Sequence, residues 1–184
     1  MKKIPTLFKR DFTKHGHPIK DKYNDGVEWA LNGEGVATRK YDGMCCMVLN
    51  GKLYKRYELK PGRIAPVEYE EVDRDEATSK SFGWIPVSDG PEDKYFREAW
   101  ENLHDNLKNI PGTCELVGPK VQGNPEKYDC HQLIRHNDAQ ILFPPITFDG
   151  LREWLSTKDI EGIVWHHTDG RMAKIKKRDF GLRR

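Results

Sequence analysis

Apolar residues recur at helical spacing in the middle of the chain. They step by 4, 3, 4 and 3 positions through Phe96, Trp100, Leu103, Leu107 and Ile110. This spacing lines one side of a helix with apolar side chains, so it predicts an amphipathic helix that packs on the core. Asp89 is placed to cap this helix, Pro91 suits its first turn, and Pro111-Gly112 ends it.

Shorter patterns predict further elements on either side of this helix. A second helix is expected after Thr147, and its inner face carries Leu151, Trp154 and Leu155. Strands are expected over residues 113–117 and 131–136. Residues 60–93 are expected to form loops with one or two short strands.

A hairpin is predicted around Asn50-Gly51, which lies between two apolar-rich runs. Asn-Gly is a strong hairpin signal because both residues accept the positive φ angles of a tight turn. A two-residue turn places Met47 opposite Tyr54 and Cys45 opposite Arg56. Arg56 is therefore expected beside the start of the first strand.

A second hairpin is predicted around Asp169-Gly170. With a two-residue turn, Trp165 lies opposite Lys174, while Val164 and Ile175 point to the other face. Strand alternation then joins a carboxylate, two lysines and two apolar residues on one face. These residues are Glu161, Ile163, Trp165, Lys174 and Lys176.

Length and composition fit one globular domain over residues 1–184. Hydrophobic residues make up 36% and charged residues 33%, yet five Trp, seven Phe and seven Tyr supply large core side chains. The net charge is only +2, but basic residues collect near the C-terminus, at Arg171, Lys174, Lys176, Lys177, Arg178, Arg183 and Arg184. A basic segment of this kind can meet phosphate groups.

The cysteines and the N-terminus together predict a cytoplasmic protein. Cys45, Cys46, Cys114 and Cys130 form no CxxC pair, and we expect all four to be buried, reduced thiols. No apolar stretch follows the charged Met1–Pro5 segment, so no signal peptide is expected. No segment approaches membrane-spanning length, and nothing indicates an obligate protein partner.

The stretch Lys40-Tyr41-Asp42-Gly43 closes a strand-like run and opens the first hairpin. A lysine at such a junction suits a covalent nucleophile, provided that its neighbours help it to lose a proton. The carboxylate of Asp42 follows two residues later. The glycine lets the backbone approach a phosphate closely.

Four elements of the chain now form a series: Lys40 with Asp42-Gly43, then Arg56, then Glu115, then Glu161 with the two lysines. In order and spacing they resemble the motifs of the covalent nucleotidyltransferases, the superfamily of polynucleotide ligases and capping enzymes. The matching stretches are Lys40-Tyr41-Asp42-Gly43, Cys114-Glu115-Leu116-Val117-Gly118, Glu161-Gly162-Ile163-Val164-Trp165 and Lys174-Ile175-Lys176.

The chain is most similar, among these, to the RNA ligase 1 family of ATP-dependent 5′-to-3′ RNA ligases. The segments 115–125 and 161–167 carry this resemblance. It implies an α+β nucleotidyltransferase domain of two antiparallel sheets flanked by helices. It also implies that a 5′-phosphate and a 3′-hydroxyl of RNA are joined through a lysyl-AMP intermediate and an adenylylated RNA end.

The resemblance also implies a role for each matching residue. Lys40 is the expected nucleophile toward ATP, and Asp42 and Glu161 are expected to hold a hydrated Mg²⁺ or Mn²⁺. Glu115 resembles the residue that binds the ribose hydroxyls, and His131 is the expected stacking partner of adenine. The full expected ATP-binding set is Arg39, Lys40, Asp42, Gly43, Arg56, Glu115, His131, Glu161, Lys174 and Lys176.

The sequence departs from the superfamily pattern in two places. Many ligases carry an acidic residue one or two places before the nucleophile, where this chain has Arg39 and Thr38. The fifth motif lies close to the end of the sequence, so neither an OB-fold domain nor a sixth motif is expected, which argues against capping.

Other interpretations of these residues stay open at this point. The chain could be a minimal DNA ligase, or a catalytically silent module that binds nucleotide or RNA. Taken singly, Glu161 with Lys174 or Lys176 could be a plain cross-strand ion pair.

Overall fold

The computed structural model of the protein describes residues 1–11, 13 and 17–184. These residues divide into two compact units. Unit 1 consists of residues 1–3 and 42–138, and unit 2 consists of residues 4–41 and 139–184. Within the described ranges, no helix is long and apolar enough to cross a membrane.

Strands outnumber helices in both units. In chain order the strands are β1 Phe8–Asp11, β2 His17–Tyr23, β3 Val36–Lys40, β4 Met44–Leu49, β5 Lys52–Leu59, β6 Glu70–Asp75, β7 Lys80–Pro86, β8 Gly112–Val117, β9 Gln132–Arg135, β10 Ile141–Leu142, β11 Gly162–His166 and β12 Met172–Lys176. The α-helices are α1 Glu28–Leu31, α2 Lys94–Glu101, α3 Asp105–Lys108 and α4 Phe148–Ser156. The combination is consistent with the predicted α+β class.

Unit 1 is built on a six-stranded antiparallel sheet in the order β6-β7-β5-β4-β8-β9. The residues predicted to be loops with one or two short strands contain β6 and β7, as expected. Helix α2 contributes Phe96 and Ala99 to a core that also contains Cys46, Cys114, Leu116 and Leu133 from the sheet. Burial of this apolar surface is the main driving force for folding of the unit, at roughly 25 cal/mol per Å².

The long helix predicted in this unit is interrupted. A 3₁₀ turn at Pro91–Asp93 precedes α2, and three residues separate the end of α2 from α3. The apolar stripe is still buried at Phe96 and Leu103, whereas Ile110 is exposed. Helical spacing thus identified the buried side correctly, but it did not reveal the break between α2 and α3.

The predicted cap of this helix is wrong. Gly90, not Asp89, occupies the N-cap position of the 3₁₀ turn, and no side chain caps it. The acidic residue that orders this segment is Asp93, which is buried and accepts a hydrogen bond from the backbone N of Ser88 at 2.8 Å. Asp93 also pairs with Lys55 of β5. The local chain is therefore ordered by a buried ion pair rather than by a helix cap.

The hairpin of β4 and β5 has the predicted register. Met47 lies opposite Tyr54, and Leu49 lies opposite Lys52. Asn50 and Gly51 have φ angles of 51° and 70°, which a two-residue hairpin turn of this type requires.

Unit 2 is built on a four-stranded sheet in the order β10-β3-β11-β12, with β1 and β2 as a separate antiparallel pair. The described residues therefore form three sheets, where two were predicted. Helix α4 begins after Thr147 as expected, because the Thr147 hydroxyl accepts a hydrogen bond from the backbone N of Gly150 at 3.2 Å. Leu151 and Leu155 of α4 are fully buried in the core of this unit.

The register predicted for the second hairpin is wrong by one residue. Gly162 lies opposite Lys176, and Val164 lies opposite Lys174. The cause is the turn, which has three residues: the backbone N of His167 bonds to the carbonyl of Arg171 at 2.9 Å, so residues 168–170 form the loop. A shift of one residue exchanges the faces of one strand relative to the other.

The cysteine prediction holds in part. All four thiols are free. Cys46 and Cys114 are buried as predicted, but Cys45 is only half-buried and Cys130 is exposed.

Candidate active site

Three adjacent strands of unit 2 place two lysines in one row across the sheet. Lys40 at the end of β3 lies opposite Gly162 of β11, and Gly162 lies opposite Lys176 of β12. Directly opposed residues in an antiparallel sheet share a face, so both lysine side chains rise from the same side. Gly162 between them has no side chain to separate them.

Gly162 also satisfies a steric requirement. A Cβ atom at this position would lie 2.2 Å from the carbonyl O of Ile175 and 2.9 Å from the Cα of Lys176. Both contacts are with backbone, which cannot move aside without disturbing the pairing of β11 and β12. The glycine therefore allows the close approach of the two strands on which the lysine row depends.

Glu161 joins the two lysines. Its Oε2 accepts a hydrogen bond from Lys40 Nζ at 2.5 Å, and its Oε1 accepts one from Lys176 Nζ. The side chains of Lys40, Glu161 and Lys176 are 19%, 12% and 15% exposed, so all three groups are largely removed from water. The nucleophile candidate, an acid and a second cation thus form one contiguous cluster.

The position of Glu161 explains why it meets the lysines although the predicted register is wrong. Glu161 precedes β11, so the direction of its side chain does not follow the alternation of that strand. Ile163 and Trp165, which were predicted to share the lysine face, are instead buried in the core on the other side of the sheet. Val164 is on the lysine face, contrary to the prediction, and Ile175 is on the core face, as predicted.

The charges in this cluster shift two pKa values. Burial alone would raise the pKa of Glu161, but the charges of Lys40 and Lys176 and their hydrogen bonds outweigh it and lower the pKa. Glu161 is therefore a carboxylate at neutral pH. Burial, together with the charges of Lys176 and Lys40, lowers the pKa of Lys174 to about 8.

Lys174 occupies the next row on the lysine face, opposite Val164. Its Nζ makes no hydrogen bond or ion pair with the described part of the chain. It is thus a largely buried amine close enough to two other ammonium groups to be affected by their charge. Such a group is ready to bind an anion.

Arg39 points away from this cluster. Since neighbouring residues of a strand alternate in direction, Arg39 shares the face of Ala37, which belongs to the core of unit 2. Its guanidinium lies over the ring of Tyr41 at 5.0 Å, and its backbone N bonds to the carbonyl of Gln140 at 2.8 Å. The side chains of Arg39 and Lys40 therefore lie on opposite faces of the sheet.

A second group of predicted site residues meets within unit 1. The backbone N of Gly43 donates to Glu115 Oε1 at 3.1 Å, and the other oxygen of this buried carboxylate lies 3.2 Å from His136 Nε2. The backbone N of Asp42 donates to Glu126 Oε1 at 2.8 Å. A Cβ at Gly43 would lie 2.1 Å from the carbonyl O of Leu116, so the glycine is required for this arrangement.

His136 and Glu126 are the members of this group that the sequence did not identify. His136 is fixed on its other side, where Nδ1 lies 2.8 Å from the hydroxyl of Thr113. Its place directly after β9, the strand that pairs with β8, was a signal that could have indicated contact with Glu115. Glu126 lies in an irregular loop, where neither periodicity nor spacing indicates a partner.

Arg56 lies on the same face of the unit 1 sheet as Glu115, because Leu53, three residues before it on β5, faces the α2 core. Arg56 donates to the backbone carbonyl of Met1, and its guanidinium lies over the rings of Phe82 and Trp84 at 5.6 and 5.3 Å. Aromatic rings stabilise a cation in this position.

His131 packs on α2. Its Nδ1 lies 2.6 Å from Glu98 Oε2, and its ring stacks on Tyr95 at 4.4 Å. Glu115 points to the opposite side of the sheet, since its neighbours Cys114 and Leu116 face the α2 core. The structure therefore does not bring His131 together with Glu115.

Within residues 1–11, 13 and 17–184, no three His, Cys, Asp or Glu side chains are grouped so that they could hold a metal ion. Hydrated Mg²⁺ commonly uses only one or two carboxylates, with waters and substrate phosphates as its other ligands. The ionised Glu161 has the right chemistry for such a ligand. Each of its oxygens binds one ammonium group and keeps a second lone pair.

Comparison with known proteins finds similarity to proteins that are all named RNA ligase 1. The family model of RNA ligase 1 matches residues 103–184. RNA ligase 1 of Danio rerio is 27% identical, over an alignment that covers 80% of this chain and 68% of that protein. RNA ligase 1 of Rattus norvegicus is 25% identical, and that of Mus musculus 24%, each with 80% of this chain and 67% of the relative covered. The chain is thus similar to proteins named RNA ligase 1, the family that its motifs resemble.

Proposed function

We propose that this protein is an ATP-dependent RNA ligase that joins a 5′-phosphate to a 3′-hydroxyl through a lysyl-AMP intermediate. The observation that carries the proposal is the cluster in which Glu161 binds both Lys40 and Lys176 on one face of the sheet. The similarity to proteins named RNA ligase 1 supports RNA as the substrate class.

In the first step, Lys40 Nζ attacks the α-phosphorus of ATP. A phosphorus–nitrogen bond forms, and pyrophosphate leaves. Lys40 enters as an ammonium group paired with Glu161, so it must first pass a proton to the surrounding water before its lone pair can attack. Lys174 and Lys176 supply positive charge on the same face, where it offsets the charge that develops on the phosphate.

In the two following steps the AMP group moves to RNA. The 5′-phosphate oxygen of one RNA end attacks the lysyl-AMP phosphorus and releases Lys40. The 3′-hydroxyl of the other end then attacks the activated 5′-phosphorus, and AMP leaves as the phosphodiester bond forms. No net redox change occurs, and one ATP is converted to AMP and pyrophosphate per bond.

Residues of unit 1 are proposed to bind the nucleotide and the RNA end. Glu115 is held by Gly43 and His136 and would accept hydrogen bonds from the ribose hydroxyls. Arg56 would bind the ribose or the RNA-end phosphate. The proposal does not use Arg39 or His131, because Arg39 faces away from Lys40 and His131 faces away from Glu115.

Mg²⁺ or Mn²⁺ would bind Glu161, and the motif resemblance implies Asp42 as a further ligand. The metal would supply positive charge to the phosphates of ATP. The ionised state of Glu161 supports this role, because a hard divalent cation prefers charged oxygen ligands.

A ligation assay tests the proposal. Purified protein is incubated with ATP and divalent metal, and with 5′-phosphorylated strands of identical sequence made of RNA or of DNA, as nicked duplexes and as single strands. Sealing of RNA ends with release of AMP is the expected result. Sealing confined to DNA would favour a DNA ligase, and nucleotide or RNA binding without pyrophosphate release would favour a silent binding module.

A further inference from the structure

A buried carboxylate lies at the end of β12, directly after the lysine cluster. Asp179 follows the strand in a short 3₁₀ turn, Lys177–Phe180, and is only 5% exposed. Its Oδ2 accepts a hydrogen bond from the backbone N of Lys176 at 2.8 Å, and its Oδ1 accepts one from Arg10 of β1. The carboxylate thus binds the backbone of a proposed phosphate-binding residue.

The geometry of β12 explains why this backbone group needs a partner. The backbone N–H and C=O of Lys174 face away from β11 and bond to the N-terminal segment. Lys174 N donates to the carbonyl of Pro5 at 2.9 Å, and Leu7 N donates to the carbonyl of Lys174 at 2.7 Å. Two residues later, the N–H of Lys176 points in the same outward direction. Asp179 provides its acceptor, and an unpaired buried N–H would otherwise be costly.

The charge of Asp179 is balanced by an arginine that is itself held in place. Arg10 of β1 lies opposite Pro18 of β2, and its side chain is 29% exposed. Phe180, next to Asp179, packs its ring on Phe8 and Phe148 at centroid distances of 6.2 and 5.2 Å. The turn after β12 is therefore seated by an aromatic cluster and an ion pair together.

We propose that Asp179, paired with Arg10, is a positioning residue that fixes the end of β12 and so holds Lys176 against Glu161 and Lys40. The inference rests on the proposed function, because it assigns a purpose to the position of Lys176. Asp179 touches neither ATP nor RNA in this role. It acts through the backbone of Lys176, and the charge balance with Arg10 lets it do so from a buried site.

The test compares Asp179→Asn with the wild type and with Asp149→Asn. Asparagine has the shape of aspartate but not its charge, so Arg10 and the N–H of Lys176 lose their shared anionic acceptor. Asp149 of α4 is a matched control, because it forms an exposed ion pair with Lys20 of β2 and takes no part in the cluster. All measurements are made below the unfolding temperature of each variant.

Two readouts are taken from each protein. Trace acetylation with mass spectrometry measures the reactivity of each lysine amine without ATP. Single-turnover formation of lysyl-AMP measures the proposed chemistry. For Asp179→Asn we expect roughly threefold to tenfold faster acetylation of Lys176 and a similar loss of lysyl-AMP formation rate, which corresponds to one lost hydrogen bond. Asp149→Asn should match the wild type in both.

The arginine partner provides a second check. Arg10→Gln should show the same two effects, and the double variant Arg10→Gln/Asp179→Asn should be little worse than either single variant, because both changes remove one interaction. Asp179→Glu, which keeps the carboxylate, should fall between Asp179→Asn and the wild type.

The outcomes separate this inference from the proposed function. If the wild type forms lysyl-AMP and Asp179→Asn matches it in either readout, the inference is overturned. If the wild type forms no lysyl-AMP while Lys176 acetylation still depends on Asp179, the proposed function is overturned and the positional claim stands.

Discussion

Lys40 donates a hydrogen bond to Glu161 at 2.5 Å, and the same carboxylate binds Lys176 with its other oxygen. Two ammonium groups on one face of a sheet therefore share one anion. Burial makes this sharing strong, because few water molecules are available to screen it. The same carboxylate thus fixes the position of Lys40 Nζ relative to Lys176.

Replacement of Glu161 by glutamine should destabilise the protein and slow lysyl-AMP formation. The amide leaves two largely buried ammonium groups without their counter-charge, which we expect to cost on the order of 2 kcal/mol of unfolding free energy. Urea unfolding at pH 7 measures the change. Glu153→Gln on the exposed side of α4 is the control, and equal stability of the two variants would contradict the central place of Glu161.

Replacement of Lys174 by methionine should stabilise the protein at pH 7 and change its pH dependence. The pKa of Lys174 is lowered from its ordinary value of 10.5 to about 8, so the unfolded chain binds this proton more tightly than the folded protein does. The wild-type free energy of unfolding should therefore rise, from this group, between pH 8 and pH 10.5.

Lys174→Met removes that rise, because the titrating group is gone. At pH 7 it also removes the cost of burying a charged amine, a gain on the order of 1–3 kcal/mol. Urea unfolding at pH 7, 8, 9 and 10 measures both effects. The control Lys158→Met alters an exposed lysine on the surface of unit 2. A Lys174→Met variant that is less stable than the wild type at pH 7 would show that Lys174 is not a strained buried cation.

Glu115→Ala should weaken nucleotide binding and destabilise unit 1. The change leaves the backbone N of Gly43 and the ring of His136 without their acceptor, a loss of about 1–3 kcal/mol. Glu115→Gln keeps one acceptor oxygen and should lose less stability, but it should bind ATP as weakly as the alanine variant if the ribose hydroxyls need the charge. Calorimetric titration with ATP and thermal unfolding provide the two measurements. ATP affinity equal to that of the wild type in both variants would rule out the ribose role.

Gly162→Ala should abolish the lysine cluster. The added methyl group would lie 2.2 Å from the carbonyl of Ile175, so β11 and β12 would have to separate. We expect a loss of about 2 kcal/mol or more in stability, together with loss of lysyl-AMP formation. Thermal unfolding and the covalent adduct assay measure the two effects. A variant of normal stability and activity would contradict the close strand approach described here.

The strands that carry the candidate site residues could be predicted from the sequence, because they have strong local signals. Asn50-Gly51 fixed the register of its hairpin, since both residues take positive φ. Asp169-Gly170 also predicts a two-residue hairpin turn, but the register that it predicts for β11 and β12 is wrong by one residue. There the Asp169 side chain accepts a hydrogen bond from the backbone N of Arg171 at 3.0 Å, and Gly170 alone takes a positive φ of 90°, so the loop gains a residue.

Strand alternation alone indicates which of the expected ATP-binding residues have side chains on different faces of a sheet. Arg39 adjoins Lys40 on β3 and must point to the other face of the sheet. His131 is two residues from Leu133, so its side chain lies on the same face as Leu133, which packs in the α2 core. The side chain of Glu115, on the paired strand β8, lies on the opposite face. By contrast, the contact between Asp42 and Glu126 joins residues 84 positions apart, and no local pattern predicts it.

The proposal that Lys40 is the nucleophile is tested most directly by incubation with ATP labelled at the α-phosphate. Wild type, Lys40→Ala and Lys22→Ala are compared, where Lys22 is an exposed lysine of β2 in the same unit. We predict one acid-labile covalent AMP adduct in the wild type and in Lys22→Ala, mapped to Lys40 by peptide mass spectrometry, and none in Lys40→Ala. An adduct that persists in Lys40→Ala, or a wild type that forms none while it seals RNA, would contradict the proposal.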